Sequence, residues 1–346
     1  MSIEAARGGA VLVVIPTLNE VHGIESVIAS LACDLPPNPE VLFVVADGGS
    51  TDGTVERVQA LQATRPWLQL LPNPKRIQSA AVNLAVRRYG GAADVLIRCD
   101  AHAGYPRGFI QQLVQTLERS QADAVVVPMD SAGTGCFQRA VAWVSDSRVG
   151  SGGSAHRGGR RSGFVDHGHH AAFRMASFQR AGGYDESFTH NEDAELDCRQ
   201  RRLGSKLYLD ADIRLAYAPR ATPLSLARQY YAYGRGRSRT VRRHPGSMRL
   251  RQLALPVHLV LLLASLLLAL WLPLALAWPV FYLAVLAFSS VSIAWQQRSA
   301  CGLLAGPAAA IMHTAWAGGF LSGLAFTRET PWSAAGAMPL RAGHEL

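Results

Sequence analysis

Between Leu253 and Trp295 the chain carries no Asp, Glu, Lys or Arg. At 1.5 Å per residue a helix of that length crosses an apolar layer of about 30 Å twice, so this part of the chain does not read as the surface of a soluble domain. Pro273 and Pro279 fall where two crossings would turn. A further apolar segment, Leu303 to Phe326, is bracketed by Gly302 and Gly306, then Gly319 and Gly323, at the four-residue spacing that lets helices approach closely. It reads as a third crossing, with an interfacial hairpin as the alternative. Two or three transmembrane helices are therefore expected within 246–330, followed by a tail over 331–346.

The formal net charge is +9, which suits nucleic acid, an anionic membrane face or an anionic substrate. Its densest cluster decides among them. Arg235, Arg237, Arg239, Arg242, Arg243, Arg249 and Arg251 lead directly into Leu253, where a cytoplasmic juxtamembrane segment carries positive charge. No aromatic interleaving or finger spacing accompanies them, so a membrane partner is expected and a nucleic acid is not. The expected location is the inner (plasma) membrane, multi-pass, with the soluble part cytoplasmic. Cys33, Cys99, Cys136, Cys198 and Cys301 are widely spaced and form no CxxC pair, so neither a zinc knuckle nor a disulfide framework is expected. The apolar run Ala10 to Ile15 is too short for a signal peptide and stops at Pro16.

The first half alternates as βαβ units. Val11–Ile15, Val41–Ala46, Val95–Arg98 and Ala124–Pro128 read as buried strands. Glu20–Leu31, Thr54–Ala63, Ile77–Arg88 and Arg107–Arg119 read as helices between them. The fold class is α/β, Rossmann-like, with a mostly parallel sheet and flanking helices over 1–245. Residues 149–163 are rich in Gly, Ser and Arg and read as a mobile basic loop. A mixed segment follows, with a helix over Asp193–Arg202.

Four groups carry candidate chemistry. Pro16-Thr17-Leu18-Asn19-Glu20 follows the first strand, at the carboxyl edge where open α/β sheets bind ligands, although a turn and helix cap would use the same residues. Asp47-Gly48-Gly49-Ser50-Thr51-Asp52-Gly53-Thr54 ends the second strand. Its acidic residue suits a ribose or base edge, and a capped turn is the plainer reading. GxGxxG is absent after the first strand, which argues against a dinucleotide fold. Arg98-Cys99-Asp100-Ala101-His102 closes another strand with a carboxylate and an imidazole two residues apart, a spacing that puts both on one side of an extended chain and suits a divalent cation. His190-Asn191-Glu192-Asp193-Ala194-Glu195 gathers carboxylates at a helix start, where the helix dipole favours them and capping could explain one or two, and where one can serve as general base.

Taken in order, these segments resemble the family 2 inverting glycosyltransferases of the GT-A fold, in particular the succinoglycan biosynthesis type. The resemblance runs over roughly residues 10–330. It also rests on Phe173-Arg174, Gly182-Gly183-Tyr184-Asp185-Glu186 and Tyr233-Gly234-Arg235-Gly236. It implies a hexosyltransferase that takes a nucleotide diphosphate sugar, a UDP-sugar by expectation, and a lipid-linked saccharide acceptor. Pro16, Thr17, Asn19, Glu20, Asp47, Gly48, Ser50, Asp52, Arg98 and Asp100 would line the nucleotide-sugar site. Asp100 would hold Mg²⁺ or Mn²⁺, with His102 in place of the second carboxylate of the usual DxD. Asp193 would be the base, with Glu192 beside it. His170, Arg174, Gln229, Tyr233, Arg235 and Arg237 would meet the acceptor or the diphosphate. The family's QxxRW is missing: Gln229-Tyr230-Tyr231-Ala232-Tyr233 has neither arginine nor tryptophan at those offsets, which argues for adding one sugar rather than processive synthesis. A non-catalytic membrane scaffold that keeps the nucleotide fold is the reading from another class.

Overall fold

The computed structural model describes residues 10–35, 40–152, 160–329 and 332. It divides into two compact units. The first takes the described residues up to Met129, then 160–216 and Trp332; the second takes 130–152 and 217–329.

In the first unit the chain runs β1 (Val11–Thr17), α1 (Ile24–Ala32), β2 (Val41–Asp47), α2 (Thr54–Gln62), β3 (Leu68–Pro72), α3 (Gln78–Tyr89), β4 (Val95–Arg98), α4 (Phe109–Ser120) and β5 (Ala124–Val127). After β6 (Met129–Ser131) come α5 (Cys136–Ser145) and α6 (Arg148–Ser151), and then β7 (Gly163–Val165), β8 (His169–Arg174), α7 (Met175–Arg180), α8 (Glu192–Arg202), β9 (Leu207–Leu209) and β10 (Leu215–Tyr217). Eight strands form one sheet in the order β3-β2-β1-β4-β8-β5-β9-β7. The β3, β2, β1 and β4 strands are mutually parallel, and β8 lies antiparallel between β4 and β5.

The unbroken apolar run of β1 is explained by cover on both faces. Val13 and Ile15 pack with Ile24, Ile28 and Leu113 on one side, while Leu12 and Val14 pack with Ala81, Val82 and Ala85 on the other. The helix expected from Glu20 starts at Ile24, because Asn19 takes a left-handed φ of 57° and Gly23 N–H closes a turn on Glu20 O. The placement of β8 puts the register Ile97↔Ala172 in the middle of the sheet, so the start of β8 lies beside the end of β4. That adjacency brings His169 and His170 to the carboxyl edge where Asp100 sits.

The second unit contains α5, α6, α9 (Pro223–Arg243), α10 (Leu250–Leu268), α11 (Ala277–Gln296) and α12 (Ala305–Phe326). Its boundary departs from the expected division at 245: α9 groups with the apolar helices because glycines open a seam between α9 and α12. A Cβ on Gly319 would lie 2.0 Å from Tyr231 O, so only hydrogen fits there. Two helical segments, Pro273–Gln296 and Ala300–Phe326, are long and apolar enough to cross a membrane, and the apolar helix Gln252–Leu268 is shorter. Pro273 opens a 3-10 turn ahead of α11, whereas Pro279 lies in the first turn of α11, where an N–H has no intrahelical partner. Contrary to the expectation of no disulfide, Cys136 is bonded to Cys301 across 165 residues of sequence, a pairing that spacing does not reveal. Of the expected basic loop, 153–159 lies outside the described residues, and Arg148–Ser151 is a helical turn capped by Ser147.

Candidate active site

Two turns at the carboxyl edge of the sheet are stitched to each other. Asp47 Oδ1 accepts from Gly49 N–H (2.8 Å) and Ser50 N–H (2.9 Å), and its Oδ2 accepts from the Ser50 hydroxyl (2.5 Å). Asn19 N–H donates to Ser50 Oγ (2.8 Å), and Asn19 Oδ1 accepts from Thr51 N–H (2.9 Å). Asp52 accepts from Thr54 N–H and Oγ1–H, and from Val21 N–H at 3.0 Å. Glu20 N–H donates to Thr54 Oγ1 (2.9 Å). Thus Asp47 and Asp52 are both engaged as turn formers, and Thr17 turns its hydroxyl back to Ile15 O. Pro16, buried Gly48 and Ser50 sit in this paired turn, and exposed Asn19 and half-buried Glu20 face out of it. Gly48 packs against Arg76 Cα, within van der Waals reach of any Cβ placed there.

Asp100 follows β4. Its backbone is clamped by Tyr105, whose hydroxyl accepts from Asp100 N–H (2.6 Å) and donates to Asp100 O (3.0 Å). Asp100 Oδ1 accepts from Gln78 Nε2 (2.7 Å) and faces Arg98 Nη2 at 3.4 Å, while Oδ2 faces His169 Nε2 at 3.6 Å. Gln78 and His169 were not expected from the sequence; no local pattern marks them, since each reaches Asp100 through the fold. Burial opposes the Asp100 charge, but Arg98, His169 and His102 hold its pKa below the ordinary value. His102 Nδ1 lies 3.0 Å from Glu20 Oε1.

The residues present fit a divalent cation in part. Asp100 Oδ2, faced only by His169 Nε2 at 3.6 Å, and His102 Nε2 are a carboxylate oxygen and an imidazole nitrogen that could serve as ligands, and diphosphate oxygens and water would supply the rest. Among the described residues, no group of three or more His, Cys, Asp or Glu gathers as a cage for a cation.

The densest part of the site surrounds Asp193, in the first turn of α8. Arg98 Nη1 donates to Asp193 Oδ1 at 2.6 Å, and His170 Nδ1 lies 3.2 Å from the same oxygen. Oδ2 has no hydrogen-bond partner among the described residues, and the side chain is 17% exposed. Burial works against the charge of Asp193, but Arg98 and His170 hold its pKa well below the ordinary carboxylate value. Its neighbour Glu192 is pushed up to about 7, first by burial and then by the Asp193 charge. Asn191, just ahead of α8, takes a left-handed φ of 67°, a conformation asparagine tolerates and most residues do not.

Glu192 makes a testable contribution to pH dependence. With the folded pKa raised from 4.5 to about 7, the stability from protonated Glu192 is fully present below pH 4.5 and is lost as pH rises through 7. Glu192→Gln is therefore expected to melt several degrees above the parent at pH 8 and close to it at pH 5, read by thermal unfolding in detergent.

Several expected contacts take other roles. His170 is wholly buried and reaches the site through Asp193. Arg98 is 5% exposed and contacts Asp193 and Asp100. Arg174 donates to Ala122 O and Leu117 O, both at 2.9 Å, which fastens the end of β8 to the α4–β5 connection. Gln229, Tyr233, Arg235 and Arg237 belong to the second unit. There Gln229 donates to the Tyr217 hydroxyl, Tyr233 packs on Tyr230, Arg235 is exposed, and buried Arg237 binds Ser247 O and Gln252 Oε1.

The family model for glycosyl transferase family 2 matches residues 12–182. The chain is 43% identical to succinoglycan biosynthesis protein ExoA of Rhizobium meliloti (strain 1021) over 321 residues, 92% of this chain and 96% of that protein. It is 24% identical over 244 residues to a dolichyl N-acetyl-alpha-D-glucosaminyl phosphate 3-beta-D-2,3-diacetamido-2,3-dideoxy-beta-D-glucuronosyltransferase of Methanococcus voltae, covering 67% of this chain and 74% of that one. Among solved structures, the mannosyltransferase PcManGT of Pyrobaculum calidifontis, in complex with GDP-Man and Mn²⁺, superposes with a TM-score of 0.58 at 21% identity, covering 92% of this chain and 88% of that one. That likeness is one of fold, and it agrees with the mostly parallel sheet and flanking helices described above. With an extensive relative and a matching family model, the chain belongs to glycosyl transferase family 2 and is a glycosyltransferase.

Proposed function

We propose that the protein is an inverting transferase that moves a hexose from a nucleoside diphosphate, UDP by expectation, to a lipid-linked saccharide in exopolysaccharide or envelope glycan synthesis. The observation that carries the reading is the state of Asp193: Oδ1 gripped by Arg98 and His170, Oδ2 open. A sugar hydroxyl is too weak an acid to ionise beforehand, so its proton must pass to a base as the new bond forms. Asp193 Oδ2 takes that proton while the acceptor oxygen bonds to the anomeric carbon. The bond to the diphosphate breaks on the opposite face, and the electron pair leaves with the nucleoside diphosphate. A single displacement inverts the anomeric centre.

The donor would lie over the paired turns 16–21 and 47–54, with Asp100 at the diphosphate. Mg²⁺ or Mn²⁺, held through Asp100 and His102, would supply positive charge to the departing diphosphate. The acceptor class is taken from the relatives: the R. meliloti protein is named for succinoglycan biosynthesis and the M. voltae protein for a dolichyl-linked substrate. Helices long and apolar enough to cross a membrane suit a lipid-linked acceptor, and the arginines before them suit a cytoplasmic catalytic domain at the inner membrane.

The test is titration of the detergent-purified protein with a panel of nucleoside diphosphates, with and without Mn²⁺, repeated on Asp100→Ala. Mn²⁺-dependent binding of UDP, weakened at least about tenfold in the variant, is the expected result. Preference for GDP would replace the donor expectation, and binding that ignores both metal and Asp100 would remove Asp100 from the diphosphate site.

A further inference from the structure

Asp193 and Asp197 stand four residues apart on α8 and so project from the same face of the helix. His170, entering from the start of β8, lies between them. Its Nδ1 is 3.2 Å from Asp193 Oδ1 and 2.9 Å from the Tyr184 hydroxyl, and its Nε2 is 2.6 Å from Asp197 Oδ1. The other oxygen of Asp197 meets His167 Nδ1 at 2.6 Å. Asp197 is 1% exposed and His170 0%, whereas His167 is 40% exposed. The result is one unbroken line of contacts from the base, through the interior of the first unit, to a partly exposed histidine.

Resting on the reading of Asp193 as the base, we infer that Asp197 and His167 are positioning residues for sugar transfer: they fix His170 so that it holds Asp193 Oδ1 and leaves Oδ2 to the acceptor. Ionised carboxylates only accept hydrogen bonds, so an imidazole wedged between two of them satisfies both by donating from both nitrogens, as the imidazolium. A buried imidazolium needs opposite charge at close range, and Asp197 supplies it at 2.6 Å. Burial alone would lower the His170 pKa; Asp197, Tyr184 and Asp193 together hold it well above the ordinary value. The charged and titratable groups acting on this ring are Asp193 and Asp197 on α8, Tyr184, and His169 on its own strand, with Arg98 behind Asp193 and His167 behind Asp197. Arg98 and His170 thus grip a single oxygen from two directions, which fixes the plane of the Asp193 carboxylate. Arg98 alone would allow it to turn.

The consequence is specific to turnover. Without Asp197 the charge on His170 is unsupported, its pKa falls, and the grip on Oδ1 is lost as pH rises through the lowered value. Asp197 is 1% exposed and so out of reach of donor and acceptor, and its replacement leaves their binding untouched.

The experiment is steady-state transfer by the full-length protein in detergent, comparing parent, Asp197→Asn, Asp197→Glu, His167→Gln and Asp193→Asn from pH 6 to 9. Asp197→Asn is expected to lower kcat about 10- to 100-fold with KM for both substrates unchanged, and the ratio of its kcat to the parent's falls further as pH rises. Glu192 titrates in both proteins and drops out of that ratio. Asp197→Glu restores part of the loss, and His167→Gln, at the exposed end, lowers kcat about threefold, the scale of one hydrogen bond. A folded Asp197→Asn with the parent's kcat and pH profile overturns the inference. So does a His167→Gln protein with the parent's kcat if Asp197→Asn does not fold. Asp193→Asn separates the two levels: if it is active, the base assignment falls and the inference with it; if it is inactive while Asp197→Asn is normal, only the inference falls.

Discussion

Asp193→Asn lowers kcat for sugar transfer about 10³-fold and leaves nucleoside diphosphate affinity within about twofold of the parent. The amide oxygen still accepts from Arg98, so the local packing survives, but neither amide atom can take up the acceptor proton. The asymmetry between catalysis and binding is what distinguishes a base from a donor contact. Steady-state transfer paired with titration calorimetry reads both quantities on one preparation. Equal losses in kcat and affinity would place Asp193 at the donor instead.

Arg98→Met is the most destabilising single change the site offers, at about 3–5 kcal/mol. The guanidinium is 5% exposed and lies 2.6 Å from Asp193 and 3.4 Å from Asp100, with the Tyr184 ring 5.9 Å away. Methionine fills the space but removes the largest favourable charge on Asp193 and Asp100 and leaves mainly His170 to oppose Asp193. For a unit of this size the melting temperature falls by roughly 10 °C at pH 8. The deficit narrows at pH 5: carboxylates that have lost their cation titrate at higher pH and are relieved by protonation, whereas in the parent Arg98 keeps Asp193 and Asp100 ionised. Thermal unfolding at the two pH values checks both the size and the sign.

The two effects share a cause that the sequence discloses only in part. The strands β1, β2, β4 and β5 and the helix α8 are legible because each is a local pattern: an unbroken apolar run for a strand covered on both faces, and an acidic first turn for a helix start. The turn 16–20 and the turn 47–54 are legible for the same reason, although Asp47 and Asp52 act mainly as the turn's own hydrogen-bond acceptors. The glycine pairs of the last helix are legible as a packing surface, and the seam with α9 uses Gly319 as that spacing suggests.

What the sequence does not disclose is assembled over long separations. The β8 strand slips between β4 and β5, so His169 reaches Asp100 and His170 reaches Asp193 across 69 and 23 positions, with nothing local to signal either. Read alone, His170 resembles any polar residue at a strand start, and its burial follows only once the strand order is known. Arg98 and Arg174 look like substrate contacts because arginine suits a phosphate. Their burial against protein acceptors is likewise a tertiary fact. One clue was available: Asp197 stands four residues beyond Asp193, which on a helix puts two carboxylates on one face and asks what lies between them. The Cys136–Cys301 pair, in contrast, has no local signature at all.

The central claim is a single displacement with Asp193 as base, and the anomeric configuration of the product tests it most directly. The full-length protein in detergent would be given α-linked UDP-hexoses and a polyprenyl-diphosphate-linked saccharide, and the new bond read by proton NMR. A β-linked product from the parent and none from Asp193→Asn is the predicted result; an α-linked product, or β-linked product formed as fast by Asp193→Asn, would contradict it.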